Sequence, residues 1–356
     1  MLTQSDEQRM LVDMVDGLLA AGGHPWRHFA EQGLLAMPFA DTEGGLDSSA
    51  TDLSLVMGAL GRADIELPFL ASAIIGSRLI RSLASSAQRS DWAPKITAGT
   101  MILALAHAEP GQRFGAGSVG TIAEATASGF SLTGRKTMVL GARHATHVLV
   151  SAAGPAGLKV FLVPANAAGV TISPHWLGDG AELVLAGVEL AQSELLEGLD
   201  AAASLAAALD HGLAGLIADT VGAMEQLHSL TIDYLRMRKQ FGVAIGSFQA
   251  LQHRAVDMQI ELEQARSMRD HATAALDSDP AIRRRAVLAA KAYVDGAARL
   301  LGETAVQLHG AIGMTIESPA GRLFRRLSAI QMQLCDRTQC LHELSLSPAS
   351  LLEEDE

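Results

Sequence analysis

The chain is poor in cysteine, in aromatic side chains, in basic charge and in long apolar runs, and each shortage excludes something. Its two cysteines, Cys335 and Cys340, stand five apart without the further ligands a zinc site needs, so they read as reduced thiols and no metal is expected. Aromatics are only 4% of the residues, which beside abundant Ala and Leu favours helices packed through small side chains over a β-rich protein. Lys and Arg number 27 against 39 Asp and Glu, a formal net charge of -12. Phosphate backbones select basic faces, so a nucleic-acid partner is not expected. No uninterrupted apolar run reaches the roughly eighteen residues of a membrane span. The opening Met1-Leu2-Thr3-Gln4-Ser5-Asp6-Glu7 is not a signal peptide. The expectation is a cytoplasmic protein without membrane contact.

What is present is length and apolar content. A chain of 356 residues, 49% of them hydrophobic, is too long for one ordinary core and should divide into two or three domains. Ser5 with Gln8 makes a capping box, and the stripe Leu11, Val12, Val15, Leu18 and Leu19 predicts a helix from about Asp6 to Ala20. Further helices are expected at Trp26 to Gly33, Ser48 to Arg62 and Ala71 to Ser85. From about Met101 short apolar runs alternate with glycine, the pattern of strands. Candidates are Ile102 to Ala106, Gly129 to Thr133, Val148 to Val150, Val160 to Val163, Glu182 to Leu185 and Val188 to Leu190, which we read as a small β-barrel or sandwich. After Glu194 long helices return at Ala201 to Arg238, Phe248 to Ala275 and Pro280 to Gly310, with Pro280 suited to a first turn. Brief turns between them predict a four-helix bundle. The fold class is therefore mainly α with a central β domain: helical residues 1–100, β residues 101–195 and a bundle with a short tail over 196–356.

The densest motif lies at the first bundle turn. Arg236-Met237-Arg238-Lys239-Gln240-Phe241-Gly242 ends one helix in basic residues, where they complement the carbonyl end of the dipole. Gly242 and Gly246 bracket the reversal, and Phe248, Leu251, Ala255 and Met258 share one face of the next helix. An arginine at a helix end, taken alone, reads as a solvated cap. The whole string, through Phe248-Gln249 to Gln252-His253-Arg254-Ala255-Val256-Asp257-Met258, resembles the flavin-contacting turn of the acyl-CoA dehydrogenase family, with Val256 where that family usually has Ala. The resemblance covers nearly the full length, including Trp26, Glu31-Gln32-Gly33-Leu34, Pro38 and Gly44-Gly45 near the N-terminus and Val221-Gly222-Ala223-Met224 in the first long helix.

The resemblance implies FAD as cofactor and a site residue by residue. Arg238 would contact the FAD pyrophosphate across a subunit interface, with Phe248 and Gln249 at the adenosine end and Gln240 and Phe241 as further cofactor contacts. Gln307, His309, Gly310 and Ala311, in a Gly-rich helix end, would line the dinucleotide of a neighbouring chain. Ala108 and Glu109 fall on the family's flavin loop, where Ala108 replaces a Thr and Gln112-Arg113-Phe114 interrupts the Gly-Ser part. Met138, Val139 and Leu140 fall on the flavin-flanking strand, with Met138 in place of a Trp and Leu140 in place of a Thr.

Taking a proton from the α carbon of a thioester needs a desolvated carboxylate beside a polarised carbonyl. Counting without gaps from Gln307, the family's base position falls on Leu334, two residues before Asp336. Asp336 is the candidate base, and Asp210 on the first long helix the alternative. The missing Glu most resembles the small-subunit type of the family, so the chain is expected either to carry its own site or to complete the flavin site of a larger dehydrogenase subunit. The expected assembly is an α2β2 heteromer or a homo-oligomer. The implied reaction is α,β-desaturation of an acyl-CoA in lipid metabolism, a form of β-oxidation, with steroid side chains or dicarboxylyl-CoA as substrate and an electron-transfer flavoprotein as acceptor.

Overall fold

The computed structural model describes residues 4–112, 119–154, 157–175, 179–198, 200–315 and 317–346. It begins with five helices: α1 Asp6–Ala21, α2 Pro25–Glu31, α3 Ala50–Ala63, α4 Ser77–Leu83 and α5 Ser86–Thr97. Capping boxes start three of them. The Ser5 hydroxyl accepts from Gln8 N–H while Gln8 reaches back to Ser5 N–H, and Ser49 with Asp52 and Ser85 with Gln88 repeat the device. The helix expected over Ala71 to Ser85 is divided: Phe69–Gly76 is wound as a wholly buried π-helix that runs straight into α4. Helix α5 escaped the periodicity because Pro94 lies inside it and only Trp92, Ala93 and Ile96 are buried.

Eight strands follow: β1 Leu103–Ala106, β2 Ile122–Ala125, β3 Gly129–Lys136, β4 His147–Gly154, β5 Gly157–Pro164, β6 Val170–Pro174, β7 Ala181–Ala191 and β8 Leu195–Leu196. They form one sheet in the order β6-β7-β3-β2-β4-β5-β8, with β1 parallel to β4. The two apolar runs at residues 182–185 and 188–190 are a single strand, β7, whose pairing with β3 slips at Leu132/Gly134. Along β4 and β5, Leu149, Val160 and Leu162 pack with the N-terminal helices, whereas Val148, Val150, Phe161 and Val163 fill a separate core of the sheet domain. Both faces are thus buried, so these strands read as continuous apolar runs rather than as alternating ones.

The C-terminal part has three long helices, α6 Ala201–Met237, α7 Gln249–Ala274 and α8 Pro280–His309. Asp210 pairs with Arg283 near the start of α6 and α8, and Tyr234 stacks on His309 near their ends, so the two run parallel. Helix α7 returns antiparallel to both, held by Arg266 to Glu225 (2.8 Å) and by the Tyr293 hydroxyl donating to Glu261 (2.9 Å). The fourth side of the bundle is filled by two shorter helices, α9 Pro319–Ile330 and α10 Arg337–Leu346. By length and composition α6 could cross a bilayer, but 61% of its most apolar window is buried inside the protein, and it carries the buried polar residues Asp210, His211 and Asp219. It is the core helix of this fold.

Helices α3 and α6 cross at glycine. A Cβ on Gly222 would lie 2.0 Å from the Gly58 carbonyl oxygen, and one on Gly61 would lie 2.0 Å from that of Asp219. Backbone cannot yield as a side-chain tip can, so Gly222→Ala is expected to cost about 3 kcal/mol in urea denaturation. Gly17→Ala, on exposed α1 with nothing within 4 Å, is the control and should stabilise slightly, by about 0.5–1 kcal/mol.

Candidate functional site

A cleft with about 510 Å³ of empty space, partly open to solvent, lies where the π-helix, the β1 and β3 ends and α6 meet. Ala71 and Ile75, one turn apart on the π-helix, form one wall; Leu105, His107, Ala108, Thr137, Met138 and Leu140 form the sheet side. Leu209 of α6 and Leu334 close it. π-Helical turns often mark functional sites. Two of the lining residues, Met138 (φ 50°) and Leu334 (φ 58°), are held in the left-handed region that side chains rarely adopt.

Beneath the cleft floor is a buried ionic network. Lys136 Nζ donates to Glu109 Oε1 (2.7 Å), to Ser151 Oγ (3.2 Å) and to the His107 carbonyl (3.3 Å). Glu109 also accepts from Gly120 N–H (2.7 Å), from Thr121 N–H (2.9 Å) and from the Thr121 hydroxyl (2.7 Å). Burial alone would raise the Glu109 carboxyl, but the bonds from Lys136, Thr121 and Gly120 hold it down at about 2. His107 Nδ1 shares a hydrogen bond with Ser151 Oγ (2.9 Å). Burial, with the Lys136 charge behind it, pushes His107 down to about 4, so the one titratable group that lines the cleft among the described residues is neutral. The network ties the segment carrying Ala108 to β3 and β4.

The expected site residues fall into three groups. Ala108, Met138 and Leu140 meet at the cleft. Glu109 lies in the network below it, and Val139 is buried in the core of the sheet domain, so neither lines the cleft. Arg113 and Phe114 lie outside the described residues.

The remaining cofactor residues gather at the far end of the bundle. Lys239–Gln240 and Val243–Ala244 pair as a small hairpin, β9 and β10, whose turn places Phe241 (φ 53°) and Gly242 (φ 82°) in the left-handed region of a type I′ turn. Phe241 is 92% exposed and makes an edge contact with Phe248 (ring centroids 6.3 Å apart). Arg238, Gln240 and Gln249 are exposed, and Arg238 has no ion pair among the described residues. Val256 is also exposed, so its difference from Ala does not touch the core. Tyr234 stacks on His309 (centroids 4.5 Å apart) and its hydroxyl donates to the His309 carbonyl (3.3 Å). That contact sets the Arg238 turn beside the end of α8, where Gln307, Gly310 and Ala311 are exposed and His309 is buried.

The two candidate bases are engaged elsewhere. Asp336 Oδ1 accepts from Gln339 N–H (2.7 Å), which makes it the N-cap of α10. Asp210 is buried between Arg283 Nε (3.0 Å) and Arg284 NH1 (3.0 Å). Neither lines the cleft; the gap-free position Leu334 does. Sequence reasoning passed over His107, Thr137, Ala71, Ile75 and Leu209. Of these, His107 and Thr137 adjoin residues of the resemblance, and Ala71 and Ile75 keep a four-residue spacing on an expected helix.

The apolar slot, with backbone of β1 and β3 at its side, fits a flavin ring, and the exposed Arg238 fits a pyrophosphate. They do not fit one FAD on one chain. Arg238 lies 29 residues beyond Leu209 along α6, about 43 Å at 1.5 Å per residue, farther than one dinucleotide reaches. The acyl-CoA dehydrogenase FadE27 of Mycobacterium tuberculosis is 27% identical over 341 residues, covering 91% of this chain and 88% of that protein. The ChsE4-ChsE5 complex of the same organism contains a chain 25% identical with a TM-score of 0.87, covering 99% of each chain. A chain of the Tcur3481-Tcur3483 steroid ACAD is 27% identical with a TM-score of 0.85, covering 96% of this chain and 97% of that one. Models of the acyl-CoA dehydrogenase N-terminal, middle and C-terminal domains match residues 5–100, 104–187 and 198–332 in turn. With the models of all three domains matched in order along the chain, it belongs to the acyl-CoA dehydrogenase family of FAD-dependent oxidoreductases.

Proposed function

We propose that this chain works as one subunit of a heteromeric FAD-dependent acyl-CoA dehydrogenase, completing a flavin site on a larger partner subunit while its own cleft lacks a base. The observation that carries this reading is Leu334: the cleft wall where a carboxylate would stand is apolar, and Asp336 and Asp210 are committed to a helix cap and an ion pair. FAD, when bound, supplies the hydride acceptor for α,β-desaturation of an acyl-CoA. Arg238 would hold its pyrophosphate as a fixed cation, and Gln307, Gly310 and Ala311 would offer an exposed edge along which a dinucleotide can lie.

The partner would meet the bundle end. Met237, Phe241, Val243, Phe248, Val256 and Ile260 are all exposed there, an apolar surface that a soluble protein covers in its assembly. Similarity to a chain of the ChsE4-ChsE5 complex supports a heteromer, α2β2 in the simplest case, over a homo-oligomer. The similarity to a steroid ACAD supports a bulky substrate such as a steroid side-chain CoA ester, with a dicarboxylyl-CoA as the second choice. We assign the electrons to an electron-transfer flavoprotein and the protein to the cytoplasm. We place the domain boundaries at about residues 100 and 195.

Arg238→Ala tests the reading. An arginine is charged at every working pH and bonds two phosphate oxygens at once, so the assembled complex should bind FAD about ten- to a hundredfold more weakly, a loss of about 1.5–3 kcal/mol. Titration of the FAD-stripped complex measures it. Unchanged affinity would remove this chain from the flavin site.

A further inference from the structure

The two cysteines that stand apart in sequence meet in the fold. Cys340 Sγ lies 3.1 Å from Cys335 Sγ, and both side chains are buried. Cys335 directly follows Leu334, which lines the cleft, while Cys340 lies in the first turn of α10, its N–H bonded to the carbonyl of the capping Asp336. The Cys340 thiol donates to Cys335, which lowers the Cys335 thiol and raises that of Cys340. A second buried pair from α8 adjoins them: Lys291 Nζ sits 2.6 Å from Asp295 Oδ2, and both charges act on the Cys340 thiol; at Cys335 burial and the Glu343 charge oppose the thiolate, while Arg284 and then Lys291 favour it. Burial, opposed by Lys291, pushes Asp295 up to about 6. A thiol that receives a hydrogen bond beside a lysine is the setting in which thiolate forms. Neither the cofactor nor the acyl-CoA reading uses any of these four side chains.

We propose that Cys335 and Cys340 form a peroxide-reactive dithiol that closes to an intramolecular disulfide. The Cys335 thiolate attacks hydrogen peroxide: the S–O bond forms, the O–O bond breaks, and hydroxide leaves as water with the proton Cys335 gave up. The sulfur of Cys340 then attacks that of Cys335. The S–S bond forms, the S–O bond breaks, and the second water carries away the Cys340 proton. Two thiols lose two electrons, and one peroxide gains them. The sulfurs need move only about 1 Å from their present separation to bonding distance.

The oxidant class follows from burial. Thiol–disulfide exchange needs a bulky disulfide in line with the attacking sulfur, which the packed α8–α10 interface denies. Hydrogen peroxide is small and uncharged, and the cleft brings solvent to the residue next to Cys335. The product would tie the left-handed Leu334 segment to α10, so the oxidation state of the pair bears on the cleft wall.

The test treats the native protein, as purified, with hydrogen peroxide, then alkylates remaining thiols in denaturant and maps the peptides by mass. The expected result is joint loss of both thiols, one cross-linked peptide pair lighter by two hydrogens, and recovery with dithiothreitol. Glutathione disulfide should react roughly tenfold or more slowly than peroxide. In Cys340→Ser, Cys335 should stop at the sulfenic acid and be trapped by dimedone. Thiols that persist through a dose oxidising free cysteine would overturn the proposal. So would oxygen addition without a cross-link, or a cross-link between chains.

Discussion

Exchange of Lys136 for methionine is expected to destabilise the fold by about 3–5 kcal/mol, the cost of leaving a buried carboxylate without its counter-charge. Lys136 has no solvent exposure, and among the described residues its ammonium is the one cation bonded to Glu109. The Thr121 and Gly120 donors would remain, but hydrogen bonds alone do not balance a charge removed from water. Urea denaturation at pH 7 measures the loss, and a value below about 1 kcal/mol would place the pair with solvated surface bridges instead. Lys136→Met with Glu109→Gln removes both charges and should restore most of the stability, because the pair is costly when broken rather than when absent.

The same residues set an acid limit. Glu109 falls from 4.5 to about 2 on folding, so its contribution is complete above pH 4.5 and is lost as pH drops through about 2. His107 and His211 each fall from 6.5 to about 4, His107 through burial and Lys136 and His211 through burial and Arg78. They are held neutral in the fold, so their contribution is full above pH 6.5 and declines from there towards 4, offset in part by Asp295, whose raised carboxyl takes up its proton more readily in the fold. Melting temperature against pH should therefore fall in two steps. In Lys136→Met the lower step should move upward, since Glu109 then holds its proton more tightly.

Local signals were legible and long-range pairings were not. The capping box at Ser5 depends on residues three apart, so a hydroxyl followed by Gln8 already specifies the helix start. The turn from Arg236 to Gln249 was legible as a motif, but its hairpin was not, because Phe241 takes a left-handed conformation that glycine usually supplies. Glu109 was expected at a flavin from its loop, and its carboxylate meets Lys136, 27 positions on. A lysine just before the apolar run Met138-Val139-Leu140 and a glutamate in a largely apolar loop were the available hint. Asp210 is held by arginines 73 and 74 positions away, and nothing nearby in sequence marks it as paired. Strands β2 and β6 were missed because most of their residues are exposed or half-buried, leaving no apolar run to read.

Leu334→Glu should carry the largest functional effect. The side chain lines an apolar cleft, so a carboxyl there would be desolvated and its pKa raised towards neutrality, the range in which a general base works. General-base assistance contributes about 10²–10⁴-fold. In a complex whose partner subunit has had its own base replaced, acyl-CoA turnover should rise by about 10²-fold or more over the same complex carrying Leu334. Leu334→Gln has similar size without a proton acceptor and should not produce the gain. The left-handed backbone at Leu334 is a constraint for every side chain here, so the two variants share that strain and differ only in basicity. Asp336→Asn should leave turnover unchanged, since the amide oxygen still accepts from Gln339 N–H at the start of α10. If Leu334→Glu folds, assembles and binds FAD yet adds no turnover, the cleft lacks more than a base. The donors that polarise the thioester carbonyl would then be missing as well, and this chain's contribution would be confined to the bundle end around Arg238.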